Sequence, residues 1–352
     1  RHIAFQEADH RGVEIWHISD PLHPEVAPVR QYYPRPGRRN VKSRVGIVEV
    51  GKSKVTWVRW DPSEEYLASL RWGPKGPLTL QLQDRLQQRL RLVAVDPAKG
   101  TTRLLVEEKH ACWVPLHQDA PIWLDDGRFI YYRQRGDRLA LAVHDPVQAR
   151  VATFLDESQD YDILEIVGYD KGRKAVLCRI DRKPGNPRLR WLPLESGQQP
   201  REVEMDGVQE ASLASGQASL AVGQQSIQHF PRLLWTRDGE PEVQVDNLGQ
   251  DPKLDLHLQF ETVTVQGREF RTVLLRPADY RPDQRYPVIL DVYGGPTKVQ
   301  VAHNRRAWLM DQWLANQGFL VVAIDNRGTP GRGRAWETSV YGDFGQLPLL
   351  DQ

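Results

Sequence analysis

The sequence predicts a mainly β protein: a partial β-propeller of about four to five blades over residues 1–255, then the start of an α/β domain over residues 256–352. Three observations carry this. Strand–turn–strand units recur at a blade-like interval, the recurrence stops near residue 255, and a strand–helix–strand order begins beyond it.

Each repeat joins an apolar strand to an acidic residue with Pro or Gly close behind. The first is Ile15-Trp16-His17-Ile18-Ser19-Asp20-Pro21, followed by Leu92 to Pro97 around Asp96 and Leu141 to Pro146 around Asp145. It returns as Trp191 to Gly197 around Glu195, and as Leu233 to Gly239 around Asp238. The anchors 96, 145, 195 and 238 are 49, 50 and 43 residues apart, the interval of four-stranded blades. Asp suits such turns because its carboxylate accepts nearby backbone N–H groups, and Gly because it accepts positive φ. Alternating strands at this spacing also suit a sandwich or barrel, but regular recurrence over five anchors favours a propeller. A second turn type, Trp123-Leu124-Asp125-Asp126-Gly127, lies between anchors. Trp60-Asp61-Pro62-Ser63 and Tyr169-Asp170-Lys171-Gly172 read as the same hairpin position in neighbouring blades. The longer gap from Asp20 to Asp96 predicts an insertion around Tyr32 to Arg44, and the missing opening half-blade predicts a propeller cut at its N-terminus.

Beyond Asp251-Pro252, Phe260–Val265, Gln266-Gly267 and Phe270–Leu275 read as a hairpin. Val288–Val292 is a continuous apolar run of the kind found in strands buried on both faces. Asn304–Gln317 predicts a helix with Trp308, Leu309, Trp313 and Leu314 on one face and Gly318 as its cap. Phe319–Ile324 is a second buried strand, which completes a βαβ unit.

Composition excludes several functions. Lys plus Arg number 47 against 46 Asp plus Glu, a net charge of +1, so no nucleic-acid partner is expected. Arg38-Arg39 reads as a solvated loop. The longest late apolar run, Phe319–Ile324, falls far short of the roughly 20 residues of a membrane span. Cys112 and Cys178 are too few for a disulfide framework or metal site and read as buried thiols. No cofactor is expected. The chain does not open with Met, so the compartment, periplasmic or cytoplasmic, stays open.

Ligands of α/β sheets bind beyond the carboxyl ends of strands. Two loops stand there. Asp291-Val292-Tyr293-Gly294-Gly295-Pro296 pairs close-approach glycines with Tyr293, whose hydroxyl can donate to an oxyanion; the alternative is a tight turn with a packed tyrosine. Asp325 to Gly333 is Gly-rich but matches neither nucleotide motif, so Arg327 and Arg332 are expected to brace the loop through carboxylates or carbonyls.

These segments, with Tyr286-Pro287, Arg332-Gly333 and Asp351-Gln352, resemble the opening of the hydrolase domain in the prolyl oligopeptidase family. Tyr33-Pro34-Arg35-Pro36-Gly37 with Asn40, Val13 to Pro21 and Trp123 to Tyr132 resemble the dipeptidyl peptidase IV branch. The resemblance implies a propeller joined to an α/β-hydrolase domain, release of N-terminal dipeptides after Pro or Ala from peptides with a free N-terminus, and a homodimer. It also implies that Tyr293 donates to the oxyanion. The family's Gly-Trp-Ser-Tyr-Gly-Gly elbow has no counterpart here: no GxSxG occurs, and Gly51-Lys52-Ser53-Lys54-Val55 lacks the second glycine. The chain therefore reads as a central fragment, inactive alone, whose nucleophile, acid, His and amine-binding Glu pair lie elsewhere. Glu64-Glu65 and Glu107-Glu108 read as solvated charges, and His303 as a surface helix residue. Arg135-Gly136-Asp137-Arg138-Leu139 departs from the family, which usually has an aromatic residue after Gly and then His. The rival readings are an acylaminoacyl peptidase or oligopeptidase, or a non-catalytic propeller that binds peptides or proteins.

Overall fold

A computed structural model describes the chain except for residues 74, 149, 157–159, 183–184, 196, 206, 215–218, 238–241, 246–248 and 297. Backbone contacts divide it into two compact units. One comprises Arg1–Gln118, Trp123–Arg128 and Asp145–Arg150; the other comprises Asp119–Ile122, Phe129–His144 and Val151–Gln352.

In the first unit, His2–Asp9 pairs antiparallel with Lys42–Glu49, and Val55–Trp57 completes a three-stranded sheet. Between the first two strands lies a separate hairpin, Ile15–Ile18 with Val29–Tyr32. The insertion therefore spans residues 10–41, earlier than expected. Asp20 is not a blade anchor but the tip of this hairpin, where it accepts the Leu22 amide. Tyr66–Arg71, Leu78–Gln83, Arg89–Val95 and Thr102–Lys109 form the first complete four-stranded sheet. Alternation explains its central strand. Leu78, Leu80 and Leu82 enter a core with Val45, Ile47, Val58, Val93 and Val95, at about 2 kcal/mol per buried leucine. The opposite residues Gln81 and Gln83 are also buried, and their amides donate to the carbonyls of His117 and Val114.

Three further four-stranded sheets follow in sequence order: 122–154, 162–202 and 208–245. The acidic anchors fall where the repeat places them, between the third and fourth strands. Asp96 accepts the amides of Ala98 and Lys99, and Asp145 those of Val147 and Gln148. Glu195 occupies the equivalent turn; Ser196 and Asp238-Gly239 lie outside the described residues. Asp126-Gly127 and Asp170–Gly172 mark first-to-second-strand turns, as expected. Trp60–Ser63 does not: it links two sheets. Cys178 is fully buried, which pushes its thiol well above the usual range, whereas Cys112 is only half-buried.

The last sheet is ordered Leu258–Val265, Arg268–Leu275, Leu320–Asp325, Val288–Asp291, with the final pair parallel. Gln266 and Gly267, both at positive φ, turn the predicted hairpin. Asn304 caps a 3₁₀ turn, Arg305–Trp308, that runs into the helix Leu309–Ala315; Gly318, at φ +97°, closes it two residues past the C-cap. Two expectations fail here. Val288 and Leu290, which share one face of the strand Val288–Asp291, are 58% and 49% exposed, so among the described residues that face is not covered. The helix covers only the other side. The 3₁₀ turn buries Trp308 and the helix buries Asp311, Gln312 and Ala315, leaving Trp313 53% exposed. Gln312 is fully buried because its side chain bonds the His257 amide and the Arg276 carbonyl, tying helix to hairpin. Among the described residues, no helix is long and apolar enough to cross a membrane.

Candidate functional site

The two predicted loops leave the carboxyl ends of the parallel strands Val288–Asp291 and Leu320–Asp325 and lie side by side: the Asn326 side-chain amide donates to the Gly294 carbonyl at 3.4 Å. Tyr293 is 43% exposed. Gly294 sits at φ +79°, where an L side chain is strained, and a Cβ on Gly295 would fall 3.0 Å from the Tyr293 ring and 3.2 Å from its hydroxyl oxygen. The glycines thus let the loop fold against its own tyrosine. Lys298 places its ammonium 5.5 Å from the centroid of that ring.

Polar side chains that no spacing rule relates brace this loop or lie near it. Asp325 is buried, and its carboxylate accepts the amides of Gln300 (2.7 Å) and Val301 (3.1 Å). Burial raises its pKa, against the opposing effect of those amides and of Arg271 and Arg332. Gln300 in turn donates to Asp291. Asp311, on the buried helix face, is pushed up to about 6 by burial and by Asp291, with Lys298 opposing. Only residue-by-residue geometry reveals these groups, because no spacing rule connects position 300 to 291 or 325.

Arg327 and Arg332 brace the second loop as expected. Arg327 makes a paired interaction with the Asp351 carboxylate (2.6–3.0 Å), which also accepts the Arg327 amide, so its guanidinium pKa rises. Arg332 donates to the Glu269 carbonyl and lies 3.7 Å over Trp336. Gln352 bonds the Ile324 carbonyl and Asn326.

The other candidates fall elsewhere. His303 is half-buried in the loop before the helix, stacked on Phe260 at 4.0 Å, and its amide donates to Gly185. Glu64 is not solvated: it is 2% exposed and paired with Arg89 (2.8 Å) and Arg91 (3.6 Å), which offset the burial that raises its pKa. Glu65 pairs with Arg85, and Glu107 with Lys109. Glu108 is half-buried at a strand end, and Arg38 lies exposed beside Glu14.

Blade-type sheets followed by a mixed α/β sheet with a tyrosine-bearing loop at its carboxyl edge define a propeller-bearing hydrolase fold. The chain belongs to the dipeptidyl peptidase IV branch of the prolyl oligopeptidase family. Residues 1–231 match the dipeptidyl peptidase IV (DPP IV) N-terminal region, and residues 307–352 match the prolyl oligopeptidase family. It is 24% identical to a probable dipeptidyl-aminopeptidase B of Coccidioides posadasii, over 95% of this chain and 39% of that protein. It is 23% identical to dipeptidyl peptidase 8 of Homo sapiens, over 99% of this chain and 48% of that protein. The crystal structure of Porphyromonas gingivalis dipeptidyl peptidase 4 superposes with a TM-score of 0.82 at 19% identity, over 99% of this chain and 53% of that one. The chain thus spans about half the length of these relatives, or less.

Proposed function

We propose that these residues form the central part of a serine exopeptidase that releases Xaa-Pro or Xaa-Ala dipeptides from free peptide N-termini. Residues 1–255 serve as the substrate-admitting propeller and 256–352 as the start of the peptidase domain. The observation that carries this reading is Tyr293 on a glycine-folded loop at the carboxyl edge of the parallel strands, within a chain of this family. In such a site the Tyr293 hydroxyl donates to the oxyanion of the tetrahedral intermediate, while a serine attacks with a histidine as base. The 352 residues contain no GxSxG, so the nucleophile must come from additional sequence, and this chain alone is inactive.

Free-amine dependence tests the substrate class. A protein carrying these residues together with a nucleophile elbow is expected to cleave Ala-Pro-p-nitroanilide and to leave its N-acetyl derivative intact. Preference for the acetylated compound would instead indicate an acylaminoacyl peptidase.

A further inference from the structure

The segment 135–139, which departs from the family pattern, meets the helix Arg334–Thr338 through Asp137. Asp137 lies in the turn between the strands Phe129–Arg135 and Arg138–Asp145. Its Oδ1 accepts the amide of Ala335 at 2.7 Å, and its backbone carbonyl accepts the amide of Arg334 at 2.9 Å. Both donors belong to the first turn of the short helix Arg334–Thr338, whose own N-cap, Gly333, has no side chain to offer. The fit requires that glycine: a Cβ on Gly333 would lie 2.0 Å from Asp137 Oδ2. A residue 198 positions away therefore supplies the missing cap.

That helix is the platform on which the second site loop rests. The Gly328 amide donates to the Trp336 carbonyl at 3.1 Å, and the Trp336 indole donates to Thr329 at 3.3 Å. Thr329 donates to the Asn326 carbonyl at 3.0 Å, and Arg332 stacks on Trp336. Arg334 and Glu337 pair at 3.0 Å across one turn, and Glu337 accepts the Gly331 amide. Asn326 then reaches the carbonyl of Gly294, next to Tyr293. Each link is a direct contact, running from Asp137 through helix and loop to the Tyr293 loop.

We propose that Asp137 is a positioning residue that holds the Tyr293 loop in place by capping the 334–338 helix from the blade turn. This rests on the peptidase reading for its purpose but not for its test. Amide hydrogen exchange on the folded 352-residue chain reads loop order without any catalysis. In Asp137→Ala, exchange across 326–338 and 291–296 should rise about tenfold, the scale of one lost cap, while the 258–275 hairpin stays unchanged. Asp137→Asn keeps the Oδ1 acceptor and should remain within about twofold of the parent. Asp137→Ser should fall between them, and it carries the comparison if the Ala variant does not fold. A rise confined to 334–338, or an Asn variant that behaves like Ala, would overturn the proposal. Loop exchange that responds as expected, combined with a Tyr293→Phe substitution that leaves turnover unchanged in the protein that also carries the nucleophile, would keep the Asp137 cap and reject the catalytic reading.

Discussion

Tyr293→Phe is expected to lower kcat for dipeptide release about 10²–10³-fold, with KM little changed, in the protein that also carries the nucleophile. The hydroxyl is the only atom removed. The ring keeps its place against Gly295 and beneath Lys298, so the loop and the ground-state pocket should persist. What is lost is a donor whose bond strengthens as the carbonyl oxygen becomes an oxyanion. One such donor accounts for about 2.7–4 kcal/mol of transition-state stabilisation. Equal loss of binding and turnover, or no loss, would assign Tyr293 to packing.

Asp181→Asn is expected to stabilise the chain increasingly as pH rises from 4 to 7. Asp181 is buried at the end of the strand Ala175–Asp181, where it accepts the Gly185 amide at 2.8 Å. Burial pushes its carboxyl from 3.8 up to about 7; Arg271 and the amides of Gly185 and Asn186 oppose this, and Asp162 adds to it. Between those two values the unfolded chain is ionised while the folded chain holds its proton. Folding therefore binds a proton, and stability falls as pH rises through this window. The loss is at most on the order of 4 kcal/mol and is complete above pH 7. Asn keeps an oxygen for the Gly185 amide and carries no charge. Denaturant midpoints of parent and variant should therefore agree near pH 4 and diverge to a plateau above 7. Parallel pH curves would show that Asp181 does not ionise in this way.

How much could be read beforehand depended on whether the signal was local. Asp96 and Asp145 announce their turns because the carboxylate bonds amides two and three residues on. The Tyr293 loop was legible because its glycines and tyrosine are consecutive. The apolar run Val288–Val292 records hydrophobicity and not which elements cover each face, and the Val288–Leu290 face is exposed among the described residues. Spacing puts Trp313 on one face with Trp308, Leu309 and Leu314, but Trp313 is exposed and Gln312 is held inward by hydrogen bonds. Glu64 reads as a solvated charge in sequence, but Arg89 and Arg91 on the strand Arg89–Val95 meet it where it is buried. Asp137 stood out as a departure in the sequence, but its partners lie 198 residues on, where no periodicity reaches.

On the proposed reading, these residues supply an oxyanion donor and its scaffold but not the nucleophile. Treatment of the purified 352-residue chain with a fluorophosphonate probe, alongside an Ala-Pro-p-nitroanilide assay, tests it most directly. No labelled serine and no turnover are expected; a stoichiometrically labelled serine with measurable dipeptide release would show that the nucleophile lies within these residues.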